Sequence, residues 1–422
     1  MRQIMKVAMV IPSYWGRERR IGWKEGDAIY DHPTPLDEEG TLLRALESIH
    51  ILNDRDFLLV VIAVATAHDI ADKVEKKVRK IVKSANLDID TIVFCASHLR
   101  KIHDLMHSDG INTEMLDLRG YSNIRNLCVF IPHVFGRDVA VLIDDDEVFE
   151  DADFMAKATE FIGRRIDSLS EGKGKGQSGE MRVLAVAGFY VNEEGSYLVK
   201  KETRPWMKWW NQYECMNRAF EKIIGNPPRL KETPFVFGGN MVIHRDLWMK
   251  IPFDPNVPRG EDIDYLINAR MFGFRFFLDN KLSIKHLPPP KVHPLWLQLR
   301  MDICRFVYER AKIEHQMLDK MNIDKMNVTD VVSAEDFDPY PGCFLKHDLH
   351  DRIVHACRLL SEEYMKEGDR KGAEEALRNI RTARECAPRY NVYQWFCSIR
   401  RSWEEMMIWA ERRSSEIQEL IQ

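Results

Sequence analysis

The sequence predicts an α/β chain, a sheet flanked by helices and followed by a mainly helical C-terminal region. Three observations lead there. Short apolar runs alternate with amphipathic stretches through the first half, a cluster of carboxylates directly follows one of those runs, and beyond residue 291 the apolar spacing is helical almost throughout. At 422 residues, and about 150 residues per domain, two or three domains are expected.

The first elements alternate in order: KVAMVIPSY, TLLRALESIHIL, FLLVVIAVA, the charged helical stretch DIADKVEKKVRKIVKSA, and TIVFCAS. Such alternation reads as parallel strands joined by helices. The helical segment NIRNLCVFIPHVF leads into the strand VAVLI, and Asp144, Asp145, Asp146 and Glu147 come next. Ligand crevices of open α/β sheets lie at the carboxyl ends of strands, so this cluster falls where chemistry is expected. A helix over 153–169 and a Gly- and Lys-rich loop at 170–180 precede the strand MRVLAVAGFY. That loop lacks the Gly-Lys-Ser/Thr of a P-loop. FVFGGNMVIHRDLW reads as a strand opening a helix, RGEDIDYLINARMFG as a helix with an acidic first turn, and RFFLDNKLSIKHL as the last strand region. The boundary falls after it, giving domains 1–290 and 291–422. In the second, Trp296, Leu299, Ile303 and Phe306 have helical spacing, as do Trp395, Ile399, Trp403 and Met406. Asp369 is expected to cap a helix that Pro388 stops.

Composition excludes several classes. Apolar residues make up 45% and charged residues 30%, which rules out a disordered chain or a disulfide miniprotein. The net charge of -5 offers no general attraction to nucleic acid. The longest apolar run, Phe57 to Ala65, is far short of the ~20 residues of a transmembrane segment, and no signal-peptide core is evident, so a cytoplasmic location is expected. Eight cysteines without a C-x-x-C pair fit reduced, structural thiols.

Three consecutive carboxylates after a buried strand repel one another unless a divalent cation neutralises them, and hard cations favour such oxygens. Asp144 and Asp146 share a face by strand alternation, with Asp145 turned away. The competing reading is an acidic loop that caps the next helix, with Glu147, Glu150 and Asp151 solvated.

Taken together, VIPSYW, TLLRALESI, GYSNIRNL, VLIDDDEVFED, FVFGGNMVIHRDLW, RGEDIDYLINARMFGFRF and IKHLPPP occur in one order over residues 7–290. This order resembles the nucleotide-sugar glycosyltransferases of the GT-A fold, most closely the family-2 type, and covers about two thirds of the chain. The resemblance implies a Rossmann-like mixed sheet and transfer of a hexose-type sugar from a nucleoside-diphosphate donor to a hydroxyl acceptor, a sugar or small molecule, with Mn2+ or Mg2+ as cofactor. It implies that Pro12, Ser13 and Tyr14 touch the nucleobase and that Arg125 and Asn126 lie beside the donor. Asp144, Asp145 and Asp146 match the Asp-x-Asp motif, with Asp144 near the ribose and metal, and Asp146 on the metal. Gly238, Gly239 and Asn240 match the stretch beneath the sugar. Asp262 matches the base of inverting members, with Glu261 as the alternative, and His286 the histidine completing the metal shell.

Two departures stand out. VVIAVATAHD lacks the acidic residue that often reads the base, and WGRERRIGWKEGDAIYDHPTPLDEEG is inserted after Tyr14. The insertion reads either as a solvated loop or as a donor cover offering Arg17, Arg19 and Arg20 to a phosphate. Lys285, Lys291 or His293 would add positive charge near the diphosphate. Trp206, Trp209 and Trp210 read either as an acceptor-sugar platform or as core. His347, His350, Asp351 and His355 read as an exposed helix start rather than a second metal site, and His103 and His107 lack a third ligand. The C-terminal helices are expected to pack on the first domain or to form a homo-oligomer interface. Inversion leans on Asp262, and a retaining enzyme stays open. So does a non-catalytic nucleotide- or metal-binding scaffold, whereas a nucleotidyltransferase is disfavoured because the first strand is not followed by that class's Gly-rich, Arg-containing loop.

Overall fold

The computed structural model describes residues 5–167, 180–200, 203–291, 293–323 and 331–422. The strands are β1 (Val7–Gly16), β2 (Thr34–Pro35), β3 (Phe57–Ala65), β4 (Thr91–Phe94), β5 (Val139–Leu142), β6 (Glu147–Val148), β7 (Arg165–Asp167), β8 (Glu180–Arg182), β9 (Ala185–Val191), β10 (Leu230–Glu232), β11 (Met241–His244) and β12 (Phe277–His286). Helices of the first part are α1 (Leu42–Ser48), α2 (Ala71–Ala85), α3 (Ala96–Ser108), α4 (Tyr121–Val134), α5 (Phe154–Glu160), α6 (Gln212–Ile223), α7 (Arg245–Trp248) and α8 (Glu261–Met271). Beyond residue 290 the described elements are helical: α9 (Leu295–Ile323), α10 (Leu349–Lys366), α11 (Arg370–Glu385), α12 (Val392–Arg412), α13 (Ser414–Ile421) and two short 3-10 turns.

The main sheet has the order β10-β12-β9-β11-β5-β1-β3-β4. The first half gives the expected parallel core, β5, β1, β3 and β4. The sheet is nevertheless mixed, because β11 runs antiparallel to both β5 and β9 while β9 and β12 are parallel to each other. Strand alternation sorts side chains to the two faces. Ala8 and Val10 of β1 join one apolar cluster with α4 and α8, whereas Val7, Met9 and Ile11 join another with α1 and α2. Ile303, Phe306, Phe396 and Trp403 of the C-terminal helices belong to the same cluster as Ala8, so that region packs on one sheet face.

Several expectations change. The helix expected over 153–169 ends at Glu160, because Gly163 takes a positive φ of 78° and β7 follows. The loop at 170–180 lies outside the described residues, except for Glu180. Six cysteines are free, but Cys304 and Cys386 form a disulfide that joins α9 to the end of α11. Their separation of 82 residues carries no spacing signal. Asp369 does cap α11, its carboxylate accepting from the Gly372 N–H at 2.8 Å. Trp395 is exposed, whereas Ile399, Trp403 and Met406 form the buried stripe. Among the described residues, no helix is long and apolar enough to cross a membrane.

Candidate functional site

Strand direction concentrates the polar chemistry at one sheet edge. The carboxyl ends of β1, β5, β9 and β12 deliver Tyr14, Asp144–Asp146, Tyr190 and His286 there, and β11, running the other way, begins there just after Gly238–Asn240. A cavity of about 1030 Å³ opens at this edge, lined by Tyr14, Arg125, Asp144, Asp145, Asp146, Gly238, Glu261, Asp262 and His286 among others. Its size lies at the upper end for small-molecule sites.

The acidic residues have distinct surroundings. Asp144 Oδ1 accepts from Arg125 Nη2 at 2.8 Å. Asp145 Oδ2 accepts from the buried Ser13 hydroxyl at 2.5 Å, and burial, then the charges of Asp146 and Asp144, push its carboxyl up to about 8. Asp146 lies 3.5 Å from His286 Nε2. Burial raises its carboxyl, but the hydrogen bond and charge of His286 outweigh that and hold it below the ordinary value. Glu147 is fully buried, not solvated, and its Oε2 accepts from the Asp144 N–H at 3.1 Å. Burial and then Asp144 and Asp146 push it well up. The Tyr190 ring stacks on His286 with centroids 4.5 Å apart, and its hydroxyl accepts from the Gly239 N–H at 2.7 Å, so one side chain orients both.

Across the cavity, Gly260 at φ 69° turns the chain into α8, where Glu261 and Asp262 begin the helix. Glu261 Oε1 accepts from Arg125 Nε at 3.1 Å. Burial raises Glu261 to about 7 against the charge of Arg125. Burial likewise raises Asp262, whose Oδ1 accepts from the Ile263 N–H. Arg125 thus bridges Asp144 and Glu261; burial alone would weaken its charge, but its acidic neighbours keep the pKa well above the usual value. Beneath α8, Lys312 from α9 contacts Asp254 at 2.9 Å and Asp264 at 2.7 Å, with all three side chains fully buried. The C-terminal region therefore supports the helix that carries Asp262.

Not every expected residue reaches the cavity. Pro12 and Ser13 are buried in β1. Asn126 is fully buried and fastened to the Phe253 backbone, accepting at 2.8 Å and donating at 3.0 Å. Asn240 donates to the Phe189 and Leu282 carbonyls. Gly239 backs Asp144 and Glu147, where a Cβ would lie 2.1 Å from Glu147 Oε1. Lys285 pairs with Glu150, while Lys291 lines the cavity 4.0 Å from Asp31. Trp209 stacks on His355, and Trp210 packs against Phe306 and Phe344 while lining the cavity. His347 precedes α10, and no group of three or more metal-ligating side chains occurs among the described residues.

The insertion differs most from expectation. Arg17 forms paired hydrogen bonds with Asp27 and Asp69, Arg19 pairs with Glu38, and Arg20 with Glu18, so these arginines neutralise carboxylates rather than await a phosphate. Nor is the segment a purely solvated loop. It adds β2 to β1, and Tyr30, 1% exposed, packs on Tyr14 and Tyr121 at 4.7 and 5.0 Å. Tyr30, Asp31 and His32 all line the cavity. Their sequence signal was weak, because an isolated aromatic in a charged loop has no periodicity.

No family model matches the chain, and no curated protein sequence matches it. Among solved structures it is similar to a mannosyltransferase from Pyrobaculum calidifontis in complex with GDP-Man and Mn2+, at 13% identity and TM-score 0.38, covering 98% of this chain and 88% of that one. It is also similar to glucosyl-3-phosphoglycerate synthase from Mycobacterium tuberculosis in complex with Mn2+ and UDP-Glc, at 12% identity and TM-score 0.34, covering 76% and 80%. For GalNAc-T7 with UDP, GalNAc and Mn2+ the values are 9%, 0.35, 78% and 53%. At such low TM-scores the chemistry of this chain rests on its own side chains.

Proposed function

We propose that this chain is a glycosyltransferase of the GT-A type, moving a sugar from a nucleoside diphosphate to a hydroxyl acceptor with a divalent cation such as Mn2+. One observation carries the reading: Asp146 with His286 and Asp262 with Glu261 face one cavity from different elements, with Arg125 tied to both Asp144 and Glu261. Asp146 and His286 present an ionised oxygen and an imidazole nitrogen, a donor set that suits Mn2+. Two protein ligands are few, which fits an ion that shares its shell with donor phosphates. When bound, it would supply Lewis acidity to the departing diphosphate.

The chain's own residues do the rest. Tyr190 orients His286, and Arg125 fixes Asp144 toward the donor side. Glu261 is engaged by Arg125, leaving Asp262 as the carboxylate available to a hydroxyl, which favours it as the base. The acceptor oxygen bonds to the anomeric carbon, its proton passes to Asp262, and the anomeric C–O bond breaks with its electron pair leaving on the diphosphate. Attack from the side opposite the leaving group inverts the centre.

The test is a thermal-shift panel of nucleoside diphosphates and their sugars, with and without Mn2+, paired with turnover. Asp146→Ala should abolish the Mn2+-linked shift. Asp262→Asn should retain it while losing at least about 100-fold in transfer. Undiminished turnover in Asp262→Asn would refute the base assignment, and no Mn2+-dependent response to any nucleotide sugar would refute the whole reading.

A further inference from the structure

Beyond Asp262 the cavity continues into an arm built mainly by residues 190–200 and 206–237, between β9 and β11. Phe237 immediately precedes Gly238, whose Cβ position lies 3.5 Å from Asp262 Oδ2, so this wall begins beside the base. Phe237 packs on Tyr190 at 4.7 Å and on Phe220 at 5.1 Å. Half-buried Leu198 and Met216 carry the wall outward, and Trp206 closes it.

Several polar side chains of this arm are engaged within the protein, while the charged Glu193, Glu194 and Lys200 are exposed. Asn192 Oδ1 accepts from the Glu194 and Ser196 N–H groups at 3.0 and 2.9 Å, and Ser196 Oγ accepts from the Leu198 N–H at 3.1 Å. Gln212 donates to the Tyr340 hydroxyl and accepts from Trp210 Nε1. A free sugar needs several directed hydrogen bonds, whereas the wall of Phe237, Leu198 and Met216 that starts beside Asp262 offers apolar area.

We infer that the acceptor is amphiphilic, an apolar acyl or aryl body carrying the hydroxyl that meets Asp262. The inference rests on the transferase reading above and assigns its acceptor class. The body lies along Leu198, Met216 and Phe237.

The experiment measures calorimetric binding of methyl, butyl and octyl β-glucosides to the full chain, each below its micelle-forming concentration. All present the same sugar hydroxyls, so only the apolar part varies. Affinity should rise by up to about fourfold per methylene that reaches the wall, and by at least about 50-fold from methyl to octyl on the same scale. Met216→Gln and Leu198→Asn, at half-buried positions, should flatten that dependence while keeping the Mn2+-linked response to nucleotide sugars. Equal affinity for methyl and octyl glucoside overturns the inference, as does chain-length dependence unchanged in both variants. Length-dependent binding without a response to any nucleotide sugar would support the apolar cavity ligand and overturn the transferase reading, so the two fail separately.

Discussion

Adding one methyl group at Gly239 tests whether the acidic site depends on a close backbone approach. A Cβ there would lie 2.1 Å from Glu147 Oε1 and 2.7 Å from Asp144 Cγ and Oδ2, while ordinary contact begins at 3.4 Å. In Gly239→Ala something must therefore retreat by more than an ångström. Glu147 is fully buried, and Asp144 is held by Arg125, so neither swings into open solvent. Overpacking of this kind costs about 1–3 kcal/mol of stability. The greater effect falls on geometry, since a shift of about 1 Å in a reacting group costs on the order of 100-fold in rate. Turnover and Mn2+-linked donor stabilisation should be measured beside Gly16→Ala, whose Cβ would meet nothing nearer than 3.7 Å. Gly239→Ala should fold and lose about two orders of magnitude in turnover, with Gly16→Ala near wild type. Equal activity in both would show that Asp144 and Glu147 yield freely, and the reasoning would fail.

Two further outcomes follow from buried charge. Asp145 is raised to about 8 from 3.8, so the stability it allows is complete below the unfolded value and is lost as pH climbs through the folded one. In metal-free buffer Asp145→Asn should match wild type near pH 4 and melt progressively higher than wild type toward pH 8; a difference that does not change with pH would sink this account. Lys312→Met should lower the unfolding free energy in denaturant by about 3–5 kcal/mol, because Asp254 and Asp264 lose their buried partner. A loss below about 1 kcal/mol would mean that the pair is protonated or hydrated instead.

The strand-helix alternation and the acidic strand end were legible because both are local patterns. Val139–Leu142 followed by Asp144–Asp146 needs only its own neighbours to be read. The partnerships were less so. Glu147 resembles Glu150 and Asp151 in sequence, yet it faces inward because β6 pairs with β12 and turns the chain back over Asp144. Lys312 looks like any lysine of an amphipathic helix until α9 lies under α8. Tyr30 and the Cys304–Cys386 bond depend on long-range closure, for which spacing holds no information. Asn126 shows the reverse: a residue with the right motif neighbour serves the Phe253 backbone instead.

The reversed course of β11 has an architectural consequence. Since β9 and β11 are adjacent in the sheet, the whole excursion between them leaves and re-enters at neighbouring positions. The half of the chamber bearing Leu198, Trp206 and Met216 is therefore one contiguous span, pinned at β9, at β10 beside β12 and at β11, whereas the half bearing Asp144, Asp146 and His286 is woven from distant stretches. Exchange of that span would have to keep the pairing of β10 with β12 and the bonds of Arg204, Asn211 and Gln212 to the C-terminal region, as well as its two ends.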